Sequence, residues 1–224
     1  GAKVVLGNFE AERTLHVIVD ERVTQMICTG TIFKLLVEQQ EKTPQTTAFR
    51  LLYCGGAPVP PALVARAIDA FGCAVSQVYG QTEVALMATY LPPEDYEAAF
   101  CNADDERLVR RAQSIGRAAP LSAVRIIDEN WNSLAVGAVG ELAVAGPSVM
   151  LGYANRPELT LETMKGGWVK TGDLGYADED GYIFLVDRKK DMIISGGENV
   201  YSSEVELVLA RHSLIAEAAV IGAP

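Results

Sequence analysis

Over the first ninety residues, short apolar runs alternate at near-regular intervals with amphipathic segments, and this alternation restricts the chain to few architectures. Val23 to Cys28, Leu51 to Cys54 and Val75 to Tyr79 read as strands, and Ile32 to Gln40 and Pro61 to Phe71 read as the helices between them. Strands separated by helices of this length argue a parallel, doubly wound α/β sheet. Pro61 suits a first helical turn, where its missing N–H has no partner to lose. An earlier helix over about Glu10 to Arg22 puts Ala11, Leu15 and Ile18 on one face. In such sheets ligands collect beyond the carboxyl ends of the strands. Here those ends carry Thr29-Gly30, Gly55-Gly56-Ala57 and Gly80-Gln81-Thr82-Glu83. Each alone is ordinary turn chemistry; three converging on one rim suggest a site.

The pattern then changes. Pro92 to Arg111 is charged and weakly periodic, and reads as a surface excursion with a helix near its end. Val124 to Asp128 and Glu141 to Ala145 are strands around the Gly-rich Asn132 to Gly140, an expected antiparallel hairpin. Strands over Trp168 to Thr171 and Tyr182 to Val186, the latter preceded by the turn Asp178-Glu179-Asp180-Gly181, continue a small β-rich, barrel-like unit. After Arg188 come a strand at Met192 to Ser195, a helix opened by Ser203 with Glu206 as a capping box, and a strand at Ala216 to Ile221. This last unit reads as the start of an α+β domain whose apolar surface is not yet covered. The expected division is residues 1–187 as part of a large domain, α/β to about 115 and β-rich from about 116, with 188–224 beginning a small one.

Composition narrows the function classes. Hydrophobic residues are 49% and charged residues 21% of the 224, which suits a globular chain, and no apolar run approaches the roughly 18 residues that cross a bilayer. The formal charge of −10 disfavours a nucleic-acid partner, whose phosphates need clustered Lys and Arg. Cys28, Cys54, Cys73 and Cys101 show no C-x-x-C pairing, and His16 and His212 stand alone. Free thiols in a reducing cytosol are expected, and with them a cytoplasmic location. Gly1-Ala2-Lys3-Val4 lacks the basic-then-apolar pattern of a signal peptide.

The densest chemistry lies in the last third: Thr171-Gly172-Asp173, then Asp187-Arg188-Lys189-Lys190-Asp191, then Ile194-Ser195-Gly196-Gly197-Glu198-Asn199. A carboxylate beside glycine can accept the two hydroxyls of a ribose, an arginine can hold the same diol or a phosphate, and paired glycines let backbone approach a ligand. With Tyr79-Gly80-Gln81-Thr82-Glu83 upstream, the set resembles the adenylate-forming superfamily of acyl-CoA synthetases, peptide-synthetase adenylation domains and firefly-type luciferases.

That resemblance implies specific roles. Gly55-Gly56-Ala57-Pro58 would line the adenine, Tyr79 would stack on its other face, and Gly80 and Gln81 would belong to the same nucleotide-binding turn. Thr82 would contact the α-phosphate, Glu83 would help bind Mg2+, Asp173 would hold the ribose and Arg188 would assist it. Lys190 would be the hinge between the two domains, and Gly196 and Gly197 the face that completes thioester formation. The implied reaction joins a carboxylic acid to ATP, releases pyrophosphate, and passes the acyl group from its adenylate to coenzyme A.

The run Ile194 to Tyr201 is more similar to ligases for fatty or aryl acids than to peptide-synthetase domains, while Ser202 stands where many relatives carry proline. Three elements that the family carries, its phosphate loop with a lysine, its particular aromatic or His residue ahead of the first strand here, and its C-terminal lysine, are not matched among these residues. The chain is therefore expected to be a central to C-terminal part of a synthetase, inactive alone. A non-catalytic nucleotide-binding or regulatory homologue and a carrier-protein-loading adenylation domain remain as alternatives. The acyl chain is not legible, and oligomeric state stays open, a homo-oligomer included.

Overall fold

The structure, a computed structural model, describes every residue other than Gly1, Pro58, Ala210, Arg211, Ser213, Ala216, Glu217 and Pro224. Two units divide the chain, Gly1–Gln81 with Leu86–Arg117 and Thr82–Ala85 with Ala118–Pro224.

In the first unit, α1 (Ala11–Asp20) starts at Glu10, whose carboxylate accepts the amides of Glu12 and Arg13, donors that a helix start otherwise leaves unpaired. Leu15 and Ile18 face inward. Strands β1 (Gln25–Thr29), β2 (Leu51–Gly55) and β3 (Ala74–Tyr79) pair in parallel in that order, joined by α2 (Gly30–Lys42) and α3 (Pro61–Phe71). Both crossovers step the same way along the sheet, so right-handed connections bring the two helices to one face, where they pack together. Phe33, Leu36, Val37, Leu52, Val64 and Val75 are buried between these layers. Thr29-Gly30 is a direct strand-to-helix junction rather than a separate turn, because Gly30 already belongs to α2.

The stretch read as a surface excursion is instead partly core. β4 (Thr89–Leu91) runs antiparallel to β3, and α4 (Pro93–Cys101) and α5 (Glu106–Arg111) follow. Tyr96 and Ala99 of α4 are buried. The charges at Glu94, Asp95 and Glu97 surround a narrow inward stripe at spacing three, which hides its periodicity in the sequence. β5 (Arg117–Ala118) stands at the far edge of the sheet.

The second unit holds β6 (Ala123–Ile127), β7 (Gly140–Ala145), α6 (Pro157–Thr163), β8 (Met164–Lys165), β9 (Trp168–Ala177) and β10 (Ile183–Arg188). Its sheet has the order β10-β9-β7-β6, with β8 beside β9. Among the described residues this sheet is open and does not close as a barrel, since four main strands are too few to wrap around a filled interior. Two ladder irregularities matter. Glu141 faces Leu174 while Ala143 faces Lys170, so β9 carries two extra residues there. Thr171-Gly172-Asp173 is thus a bulge inside a strand, whereas the sequence suggested that the strand ends at Thr171. Opposite, Leu185 faces Gly175 and Asp187 faces Leu174, which leaves one extra residue in β10. Bulges of this kind bend a strand and re-aim its side chains.

Beyond β10, β11 (Ile193–Ser195) and β12 (Glu198–Val200) form a hairpin through Gly196 and Gly197 at φ 61° and 89°, a two-residue turn that demands left-handed backbone. α7 (Ser202–Leu209) follows. The capping box read from Ser203 and Glu206 is replaced by longer contacts: the Ser203 hydroxyl donates to the Val186 carbonyl, and Glu206 Oε1 accepts the Val220 amide at 2.8 Å. Of the strand expected over Ala216 to Ile221, Ala216 and Glu217 lie outside the described residues, and the rest is irregular backbone. No described helix is long and apolar enough to cross a membrane.

Candidate functional site

The first unit places its turns at one rim. Thr29 and Gly55 are register partners at the ends of β1 and β2, and Cys54 pairs with Gln77 of β3 two residues before Tyr79. Gly55 lies so close to β3 that a Cβ would stand 3.0 Å from the Val78 side chain, and Gly56 adopts φ 79°. The close approach favours glycine at 55 and the left-handed backbone favours it at 56, and Ala57 follows them exposed. Gln77 is buried at 2% exposure, and its Oε1 accepts the Val59 amide at 3.1 Å. It holds the far end of this turn, a role not foreseen from the sequence.

Tyr79 is half-buried at the end of β3, and its carbonyl accepts the Ala88 amide at 2.7 Å. At Gly80 a Cβ would stand 2.5 Å from the carbonyl carbon of Leu86, and the Gln81 carbonyl accepts the Leu86 amide at 3.0 Å. Ala85 and Leu86 both hold positive φ, 52° and 68°. Each costs about 1–2 kcal/mol for a residue with a Cβ, and such strain clusters where backbone is shaped for a ligand.

In the second unit, Thr82 is exposed and Glu83 half-buried on a single 3₁₀ turn, Thr82–Val84. The Glu83 carbonyl accepts the Met150 amide at 2.8 Å, and its Oε1 accepts the Tyr153 hydroxyl at 2.9 Å. Burial, reinforced by that carboxylate, holds the Tyr153 phenol above its ordinary pKa. Tyr153 is seventy residues away and was not singled out from sequence. No three described His, Cys, Asp or Glu side chains converge to hold a metal ion. A cation at Glu83 would complete its shell with ligand oxygens, which suits a hard ion such as magnesium.

The bulges bring Asp173 and Arg188 together as register partners, with Arg188 Nε 3.4 Å from Asp173 Oδ1. The Asp173 side chain is 13% exposed and that of Arg188 63%, so the acid is fixed while the guanidinium reaches outward. Several backbone bonds set the aim. The Thr171 hydroxyl donates to the Leu142 carbonyl at 3.0 Å and accepts the Asp173 amide at 3.1 Å. Gly172, at φ 75°, donates its amide to Glu141 Oε1 at 3.1 Å. Glu141 Oε2 in turn accepts Lys189 Nζ at 3.1 Å. Burial works against the Lys189 charge, but hydrogen bonds and charge from Glu141 and Glu129 outweigh it, so its pKa is raised. Glu141 and Lys189 were missed in the sequence. The available signal was an acid at the head of the apolar run Leu142-Ala143-Val144, within the expected strand.

Lys190, Gly196 and Gly197 are exposed and lie outside this hydrogen-bonded network. At the end of β10, Asp187 Oδ2 accepts both the amide and the hydroxyl of Ser202, the first residue of α7.

Comparison with known proteins places these features in context. Residues 1–154 match the family described as AMP-binding enzyme. The chain is 37% identical to a medium/long-chain-fatty-acid–CoA ligase, FadD8 of Mycobacterium tuberculosis, over 100% of its own length and 38% of that protein. Among solved structures, the amide bond synthetase McbA from Marinactinospora thermotolerans aligns with TM-score 0.82 and 35% identity, over 98% of this chain and 43% of that one. O-succinylbenzoate coenzyme A synthetase from Bacillus subtilis, in complex with ATP and magnesium ion, aligns with TM-score 0.80 and 33% identity, over 96% and 42%. The chain thus spans about two fifths of the length of these relatives.

Proposed function

Because the chain belongs to the AMP-binding enzyme family, we propose that it supplies the adenine, ribose and Mg2+ parts of the site of an ATP-dependent acyl-CoA synthetase acting on a fatty or aryl acid. The observation that carries this reading is the Asp173–Arg188 pair, a largely buried carboxylate with an outward-reaching guanidinium at paired bulges.

Asp173 accepts the ribose hydroxyls, with Arg188 beside it. The Gly55-Gly56-Ala57 backbone lines one side of the adenine, and the Tyr79 ring covers the other with an apolar face. Gly80 and Gln81 shape the turn that brings Thr82 to the α-phosphate. Glu83, oriented by the Tyr153 hydroxyl, holds Mg2+. When bound, that ion offsets charge on the phosphate oxygens. The acid's carboxylate attacks the α-phosphorus, the P–O bond to pyrophosphate breaks, and an acyl-adenylate forms. The coenzyme A thiolate then attacks the acyl carbon, and AMP leaves. Positioning dominates both steps, because the protein need supply little covalent chemistry. Residues from 188 onward begin the moving domain, with Lys190 as its pivot and Gly196 and Gly197 on the face used for thioester formation.

A second reading, transfer from the adenylate to an acceptor other than coenzyme A, draws on the likeness to an amide bond synthetase. The test is to incubate the full-length protein with ATP, Mg2+ and a panel of fatty and aryl acids, with coenzyme A or an amine. Mass spectrometry of the products then reads the result. The proposal expects AMP with an acyl-CoA. AMP with an amide selects the second reading, and absence of AMP in every mixture contradicts both.

A further inference from the structure

Glu141 is a carboxylate at only 7% exposure near the start of β7, an inner strand of its sheet, and such burial costs several kcal/mol unless donors surround the charge. Its two donors are distinctive in where they lie. Gly172, whose amide reaches Oε1 at 3.1 Å, directly precedes Asp173. Lys189, whose ammonium reaches Oε2 at 3.1 Å, directly follows Arg188. One buried acid therefore holds the chain neighbour of each member of the Asp173–Arg188 pair. The Lys189 amide closes the ring by donating to the Gly172 carbonyl at 2.9 Å. Glu129 also approaches Lys189 at 3.5 Å, but at 87% exposure it is solvent-screened and adds little.

The bulge explains why such a holder is needed. The two extra residues of β9 take Gly172 out of the ladder with Glu141's own strand, and a bulged residue has no ladder partner. The Glu141 side chain supplies the missing acceptor. Without it, the Gly172 amide would lose its partner and the left-handed turn at φ 75° one of its restraints. Asp173 would then lose its aim, since hydrogen bonds weaken steeply with angle and distance.

We propose that Glu141 is a positioning residue for ribose recognition, setting the relative placement of Asp173 and Arg188 by holding Gly172 and Lys189. It rests on the reading of that pair as ribose ligands.

The test measures binding of AMP and of 2′,3′-dideoxy-AMP to the full-length protein by calorimetry, in the wild type and in Glu141→Ala, Glu141→Gln and Lys189→Met. The wild type should prefer AMP. Glu141→Ala should reduce that preference about tenfold, the scale of one hydrogen bond to a charged group, with dideoxy-AMP binding changed by less than about twofold, a shift close to the energy resolution of such comparisons. Glu141→Gln keeps an oxygen for the Gly172 amide and Lys189→Met keeps the carboxylate, so each should give a smaller reduction of the same kind. These two carry the test if Glu141→Ala fails to fold. An unchanged preference in the folded variants, or equal loss of both ligands, overturns the assignment. Asp173→Ala separates the underlying reading: if it leaves the AMP preference intact, the ribose assignment itself fails, whatever Glu141 does.

Discussion

Asp187 accepts two hydrogen bonds from Ser202, one from its amide at 2.6 Å and one from its hydroxyl at 2.9 Å. The last turn of β10 thereby closes the start of α7 across the fifteen residues that contain the proposed hinge. A proline at this position, the residue the family resemblance leads one to expect, could make neither bond. The departure at Ser202 is thus matched by a contact that uses both groups serine adds.

Asp187→Ala should weaken the docking of α7 by about 1–2 kcal/mol, the range for loss of a helix-start acceptor. Hydrogen exchange checks this: amides of residues 202–209 should exchange about 5- to 30-fold faster, and Ser202→Ala should show roughly half the energetic effect.

Tyr153→Phe removes the hydroxyl that donates to Glu83 and leaves the ring. One hydrogen bond of about 1 kcal/mol corresponds to roughly a fivefold change. The Mg2+ concentration giving half-maximal adenylation should rise by about that factor, with little change in melting temperature. A magnesium titration of both proteins decides it.

Gly80→Ala drives a Cβ into the backbone of Leu86 and Met87, and rigid neighbours cannot yield as a flexible side chain would. The loop from Tyr79 to Ala88 must shift, so AMP affinity should fall by more than about tenfold, as small misplacements at a site do. Gly72→Ala is the control: at φ 61° with nothing within 4 Å, it should cost only about 1–2 kcal/mol of stability and leave AMP binding alone.

Burial pushes the thiols of Cys28 and Cys54 up to about 12 and that of Cys73 to about 11, while Cys101 is exposed. At pH 8 a maleimide should therefore label Cys101 among these four, as peptide mapping would read. The sign for stability follows from the raised values. The folded state holds these protons more tightly than the unfolded chain, so the contribution is complete below the ordinary thiol value of 9.0 and is lost as pH climbs towards about 12. A denaturant series at rising pH should show that decline.

Much of the first unit was legible because its signals are local. Pro61 opens α3 and Gly72 closes it, and the short apolar runs mark β1 to β3. Tyr96 was misjudged because acidic neighbours on α4 mask one inward stripe. The motif residues Asp173 and Arg188 stand out through their glycine and lysine context, but the bulges that make them register partners depend on strand pairing that no local pattern specifies. Tyr153, Glu141 and Gln77 act across separations of 70, 31 and 18 residues. A tyrosine or an acid within a strand looks structural until its distant partner is known.

The most direct test of the central claim is ATP–pyrophosphate exchange by the full-length protein with Mg2+ and the acid panel, in the wild type and Asp173→Ala. The account predicts exchange that depends on a fatty or aryl acid, with the ATP requirement raised about 10- to 100-fold by the substitution, as for lost hydrogen bonds to a charged group. Folded wild-type protein that exchanges no pyrophosphate with any acid would contradict it.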